Sequence, residues 1–425
     1  MVSREIKLAV KKSLFILSAI FTLLLTACAG GSVSRPPAAI SQVTAPSVPD
    51  AVRETPQEPV SGKTAIQYFR DERIFSGWNL GNSLDAYSSG ESGETYWGNP
   101  AINQELMNGV KAAGFGIIRI PVTWIGHIGN APDHKIAARQ LRRVAEVAEM
   151  AHNAGLKAII NLHHDGSTQG GGRDNGWISI GRASRNTEQY NLITAQYIRV
   201  WQQIAAYLKN YGDWLIFEGF NELHDGNWQT CSDPGQFIAL NKWNQFFVDI
   251  VRSSGGNNES RYLMVNAYCA DNRQALSPGF MLPNDPSPDR LILSFHYYAP
   301  HEFSINGSRS AWGTDADKQR VDSDFAPFKD AFIDKNIPVI IGECGAVMQL
   351  YPDDAAKEAQ ARQSRTEYIT HVFSTAKKYG LVPVYWDNGA IRGNGEKFGL
   401  FDRRTGQPNS PDSDALIKLM IRAVR

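Results

Sequence analysis

The 425-residue sequence predicts an α/β protein of the (β/α)8, TIM-barrel type, and three observations predict it. Short apolar, β-branched or aromatic runs recur eight times, each followed by a stretch with helical spacing of its apolar residues. No Gly-x-Gly-x-x-Gly turn joins a strand candidate to a helix, which separates the pattern from a doubly wound dinucleotide-binding sheet. Polar residues of catalytic type follow the runs again and again, where a barrel gathers them at one mouth.

The N-terminus reads as an address. Arg4, Lys7, Lys11 and Lys12 precede an uncharged apolar run from Leu14 to Leu25, which is too short for the roughly 20 residues of a membrane-spanning helix and fits a secretion signal. Its ending, Leu25-Thr26-Ala27-Cys28, resembles a bacterial lipobox. That resemblance implies removal of residues 1–27 and lipidation of Cys28, and Ala29 after the cysteine implies outer-membrane rather than inner-membrane retention. Residues 28–62 carry six prolines and no aromatic residue, so they form an extended tether rather than a core. The folded domain is expected over residues 63–425, with no membrane contact besides the lipid.

The strand candidates are Phe75–Leu80, Ile117–Pro121, Lys157–Leu162, Leu215–Phe220, Tyr262–Asn266, Leu291–His296, Pro338–Gly342 and Val382–Trp386. The helical stretches are Asn103–Ala113, Ala137–Asn153, Glu188–Asn210, Phe237–Ser253, Asn272–Leu276, Asp324–Lys335, Ala355–Tyr379 and Pro411–Ala423. Charge is balanced, 43 Lys+Arg against 43 Asp+Glu, without a basic block, so nothing offers a footprint for a nucleic acid and a neutral partner is expected. Aromatic content of 10% supplies ring surface both for a core and for a binding site. Besides Cys28 the cysteines are Cys231, Cys269 and Cys344. Cys231 and Cys269 fall in neighbouring loops at one end of the fold and are expected to pair, leaving Cys344 buried.

The chemistry sits after the strands. Arg119 lies on the second; His163 and His164 follow the third; Asn221 and Glu222 follow the fourth; His296 and Tyr298 belong to the sixth; Glu343 follows the seventh and Trp386 closes the eighth. Glu222 and Glu343 are the informative pair, because cleavage of a glycosidic bond needs one protonated carboxyl to release the leaving oxygen and one ionised carboxylate to attack or to activate water. Glu218, in the body of its strand, reads as a structural carboxylate. His163-His164-Asp165 has no zinc-type companion motif, so hydrogen bonding is the better reading and no metal or organic cofactor is expected. Gly166–Gly172 lacks a following Gly-Lys-Ser/Thr and reads as a cleft wall, not a phosphate cradle. Trp97, Trp124, Trp177, Trp228 and Trp312 fall in or beside strand-following loops, where flat rings suit pyranose faces.

Gly77-Trp78-Asn79-Leu80-Gly81-Asn82, Ile118-Arg119-Ile120-Pro121, Asn161-Leu162-His163-His164, Phe217-Glu218-Gly219-Phe220-Asn221-Glu222, His296-Tyr297-Tyr298, Ile341-Gly342-Glu343 and Trp386-Asp387-Asn388-Gly389 resemble the successive motifs of glycoside hydrolase family 5. Their forms are similar to the subfamily of endo-β-1,4-glucanases that act on cellulose derivatives, mixed-linkage glucan and xyloglucan. The resemblance implies a retaining endo-β-1,4-glucanase with Glu222 as general acid/base and Glu343 as nucleophile. It implies that Arg119 and Tyr298 hold Glu343 ionised and lower its pKa, that Asn221 bonds the sugar 2-hydroxyl, that His163 and His296 position sugar and carboxylates, and that Trp386 floors the ring. His164, Asn79 and Trp312 complete the expected substrate contacts. The segment least similar to relatives is His301-Glu302-Phe303, on the leaving-group side. The expected partner is a β-glucan, with xyloglucan a main substrate, and the expected state is a monomer. A mannan-cutting enzyme of the same mechanism and a non-catalytic tethered glycan-binding protein are the alternatives.

Overall fold

The computed structural model of the chain describes residues 56–166, 176–228, 230–231 and 233–425. The expected signal, Cys28, most of the tether and residues 167–172 of the glycine-rich run lie outside the described residues. In chain order the first elements are α1 (Ala65–Asp71), β1 (Gly77–Leu80), the short strands β2 (Tyr87–Ser88) and β3 (Glu91–Ser92), α2 (Gln104–Ala113) and β4 (Ile117–Ile120). Then come α3 (Ala138–Asn153), β5 (Lys157–Asn161), α4 (Ile180–Arg185), α5 (Thr187–Leu208), β6 (Leu215–Glu218), α6 (Pro234–Ser253) and β7 (Leu263–Asp271). The rest comprises α7 (Asn272–Ala275), β8 (Leu291–Tyr297), α8 (His301–Ser304), α9 (Asp315–Ala331), β9 (Val339–Cys344), α10 (Ala355–Tyr379), β10 (Val382–Asp387) and α11 (Pro411–Val424).

β1 and β4 to β10 close into one barrel, ordered β1-β10-β9-β8-β7-β6-β5-β4, with every pairing parallel. Strand periodicity divides its interior into two storeys. Ile117, Ile159, Ile216, Met264, Ile292, Ile340 and Val384 form one apolar cluster at the lower end. Two residues further along five of these strands stand Arg119, Asn161, Glu218, Asn266 and Ser294, all buried and polar, because side chains two apart share a face. The outward residues between them, such as Ile118, Ile160, Phe217 and Val265, join the larger core under the helices. α1 closes the lower end with Ala65, Tyr68 and Phe69, and Tyr68 stacks on Tyr262 with ring centroids 4.7 Å apart.

The structure differs from the sequence reading in several places. The fold begins before residue 63: Glu58 accepts from the Gly212 N–H at 2.7 Å and Trp214 Nε1 at 2.5 Å, and Ser61 donates to Asp213. The sequence reading also omitted α1, although Ala65, Tyr68 and Phe69 recur at helical spacing behind a Thr64–Gln67 capping box, and the β2–β3 hairpin, whose strands are two residues each. α9 starts at Asp315, nine residues before its expected start, behind a Thr314–Asp317 capping box that is polar and hides the helix from an apolar pattern. β7 extends to Asp271 through a register shift at which Cys269 and Ala270 take positive φ. The expected Cys231–Cys269 disulfide is not formed, since both are free thiols. The Cys231 thiol donates to the Asp233 carbonyl, while Cys269 is buried in the irregular part of β7, held by its N–H to the Leu223 carbonyl. Cys344 is buried.

Candidate active site

Arg119 is the centre of the upper storey and is wholly buried. Nε donates to Glu218 at 2.7 Å, Nη1 to Glu343 Oε1 at 2.7 Å and to Asn79 Oδ1 at 3.1 Å, and Nη2 to Asn221 Oδ1 at 2.7 Å. Burial alone would lower its pKa, but Glu218 and Glu343 outweigh it and the guanidinium stays charged. Glu218 also accepts from Asn161 Nδ2 at 3.0 Å and Asn266 Nδ2 at 2.9 Å, so it is spent on holding the barrel interior.

Glu343 receives the Tyr298 hydroxyl on Oε2 at 3.0 Å, with His163 Nε2 3.9 Å from Oε1 and His296 Nδ1 3.7 Å from Oε2. Burial pushes its pKa up, against the pull of His296 and Arg119. This corrects the expectation that Arg119 and Tyr298 leave it lowered: the bonds form, but taking the carboxylate out of water is the larger effect. The Asn161 side-chain oxygen Oδ1 accepts from Val122 N–H, which turns the side-chain amide hydrogens toward His163 Nδ1 at 3.1 Å and leaves the ring proton on Nε2, facing Glu343. Glu222 stands 20% exposed, with Oε1 2.6 Å from His296 Nδ1. Burial lowers the His296 pKa to about 4, so the ring is neutral near pH 7. Donor atoms of Glu222, His296 and Glu343 all lie within 4.8 Å of one another.

The bulge in β9 produces this proximity. Phe295 pairs with Ile341 and His296 with Glu343, so Gly342 is the extra residue that swings Glu343 beside His296. Asn79 gives its amide hydrogens to the Gly342 and Tyr385 carbonyls at 2.9 and 3.3 Å, tying β1 to the same bulge. Trp386 lies parallel to His163, 5.9 Å away, on a patch of Val347, Phe398, Tyr298 and Ile305. Gly81 has no side chain because a Cβ there would stand 2.8 Å from the Trp386 ring.

The expected residues therefore divide. Glu222, Glu343, Asn221, His163, His296, Tyr298 and Trp386 come together at the strand ends. Asn79, expected against substrate, and Arg119, expected on Glu343, are both fully buried and position Glu343 and Asn221 from behind. Trp312, also expected against substrate, is buried, its ring 5.2 Å from Tyr368 and 5.7 Å from His371. His164 lies at the edge, 3.8 Å from Asp85, its ring 5.6 Å from Tyr87 and 5.5 Å from Trp97. Trp97 and Trp228 present exposed rings, whereas Trp124 and Trp177 donate inward to the Asn161 carbonyl and to Asp165. The sequence reading missed Asp85 and Tyr87, although Asp85 closes the Gly81-Asn82-Ser83-Leu84-Asp85 turn directly after β1. Asp85, His163 and His164 form a second donor group, with atoms within 4.8 Å of one another. Asp85 is already held by the Asn82 and Ser83 N–H groups.

A parallel (β/α)8 barrel that brings two carboxyl groups this close at its mouth, one clamped by arginine and one on histidine, defines a glycoside hydrolase. Residues 81–391 match the cellulase family, glycosyl hydrolase family 5. The chain is 38% identical over 349 residues to endoglucanase A of Paenibacillus barcinonensis, covering 77% of this chain and 83% of that protein. It is 35% identical over 365 residues to the xyloglucan-specific endo-β-1,4-glucanase BoGH5A of Bacteroides ovatus, covering 80% and 68%. Among solved structures, the broad-specificity GH5-4 endoglucanase of Bacteroides salanitronis superposes with a TM-score of 0.78 at 38% identity, covering 87% of this chain and 98% of that one. The chain belongs to glycosyl hydrolase family 5.

Proposed function

We propose that this protein hydrolyses internal β-1,4-glucosidic bonds of soluble β-glucans with retention, xyloglucan being a main substrate. One observation carries the retaining reading: oxygens of Glu222 and Glu343 lie within 4.8 Å, close to the roughly 5–5.5 Å of retaining carboxyl pairs and short of the 6.5–9.5 Å that admits a water between them. Glu343 attacks the anomeric carbon and Glu222 protonates the leaving oxygen. The Glu343 charge then passes into an ester, while Arg119 stays fixed by Glu218 on its other edge. Glu222, now a carboxylate, takes the proton of the incoming water, and the ester opens with Glu343 restored. Asn221 has its carbonyl oxygen committed to Arg119, so its amide hydrogens serve the sugar 2-hydroxyl. Trp386 floors the ring. The likeness to a xyloglucan-specific relative supports the choice of substrate.

Glu343→Gln, assayed on xyloglucan, is expected to lose at least about 10³-fold in kcat. Full activity in that variant overturns the reading, and an inverted first product seen by proton NMR overturns retention. The lipobox-like ending supports a Cys28-linked anchor in a bacterial outer membrane. A Cys28→Ser variant is expected to leave the membrane fraction, and its continued sedimentation with membranes overturns the anchor.

A further inference from the structure

Three buried polar atoms on two neighbouring strands, Asn266 Oδ1, Ser294 Oγ and His296 Nε2, have no hydrogen-bond partner among the described residues. Asn266 is 1% exposed, Ser294 0% and His296 7%. Asn266 of β7 pairs in register with Ser294 of β8, and Ser294 and His296, two apart on one strand, share the inward face. A Cβ at Gly342 would stand 2.6 Å from Ser294 Oγ and 3.0 Å from His296 Nε2, so the bare bulge residue brings both atoms to one spot. Asn266 Nδ2 donates to Glu218 and to the Phe220 and Asn221 carbonyls, which fixes the amide and makes Oδ1 an acceptor. Buried polar atoms are almost always satisfied, and a water that serves them typically makes about three bonds.

We propose that one internal water accepts from the Ser294 hydroxyl and donates to Asn266 Oδ1 and His296 Nε2, making Ser294 a positioning residue that sets the tautomer of His296. The water's two hydrogens match the two acceptors, and the serine hydroxyl is the donor it needs. With Nε2 an acceptor, the ring proton sits on Nδ1, 2.6 Å from Glu222 Oε1. An Nδ1–H donated to Oε1 leaves the other Glu222 oxygen to carry the proton for the leaving group. The same N–H then steadies the carboxylate that remains. The opposite tautomer draws the Glu222 proton toward the ring and away from the substrate. The groups facing this pair are Glu222 and Glu218 of the β6 strand end, Glu343 of β9, Arg119 of β4, Tyr298 after β8, and Cys269 and Asp271 of β7; Asp271 is engaged by Arg273.

The inference rests on Glu222 being the acid/base, and the test separates the two. In a crystal structure with ordered solvent, a water within about 3.2 Å of all three atoms is expected, and its absence overturns the proposal. Ser294→Ala is expected to cut kcat on xyloglucan about 10-fold with KM within a factor of about two, and to move the basic limb of the pH profile up by about half a unit, since Glu222 then holds its proton more tightly. A profile that superposes on the parent's overturns the role of Ser294 alone. Glu222→Gln with undiminished activity and an intact basic limb overturns both readings.

Discussion

Arg119 commits its donors before any substrate arrives: one edge holds Glu218, Asn221 takes another hydrogen, and Nη1 is shared by Glu343 and Asn79. Lysine offers a single charged point that cannot span these partners. Arg119→Lys is expected to lose about 10²-fold or more in kcat and about 3 kcal/mol of stability, because Glu218 is left buried with a broken pair. Chemical denaturation and initial rates on β-glucan measure the two. Glu343 makes the opposite case. Its folded pKa is raised by burial, so the folded state keeps the proton to higher pH than the unfolded chain does. Stability therefore falls as pH rises from the unfolded value, near 4.3, through the folded one. Glu343→Gln is thus expected to melt higher than the parent at pH 7, with the gap closing below about pH 4. Equal melting temperatures at pH 7 refute that burial cost. For the same reason the acid limb of kcat/KM in the parent is expected above the ordinary glutamate range near 4.3, because Glu343 attacks only when ionised.

Among the elements, α2 shows a close approach overriding helix propensity. Alanine normally stabilises a helix interior over glycine by about 1 kcal/mol. At Gly109, however, a Cβ would stand 1.9 Å from the carbonyl oxygen of Gly406, a loop residue at φ +69°. Gly109→Ala is therefore expected to destabilise by about 1–3 kcal/mol, read as a lower urea midpoint, since both backbones are fixed. The β9 bulge works on the same scale. The sequence shows Ile341-Gly342-Glu343 as a strand end with a carboxylate, and a regular ladder would place Gly342, not Glu343, opposite His296. The strands were legible because their residues are apolar and β-branched, and α10 was legible to the residue from its length. The start of α9 was not, since its first turns are polar and only the Thr314–Asp317 cap marks them.

For the whole molecule, the two-storey interior separates stability from chemistry. The apolar lower storey, sealed by α1, packs as a core, and the polar upper storey is a single network from Asn266 through Glu218 and Arg119 to Glu343. Trp97 and Trp228 leave exposed ring surface at the strand-following loops. Mass profiling of products is expected to show fast release of branched oligosaccharides from xyloglucan, while cleavage of unbranched mixed-linkage glucan alone implies a narrow site and a general endoglucanase.

By itself the sequence determined the barrel and set Glu222 and Glu343 at the ends of two strands, because alternation of apolar runs and the residue types after them are local properties. Only the tertiary structure decided that Asn79 and Arg119 lie behind the site, that Trp312 packs in the core, that Cys231 and Cys269 stay apart, and that burial raises Glu343. Each of these depends on which distant segments surround a side chain, and solvent exclusion and contact distance are set by the closed barrel rather than by neighbours in the chain.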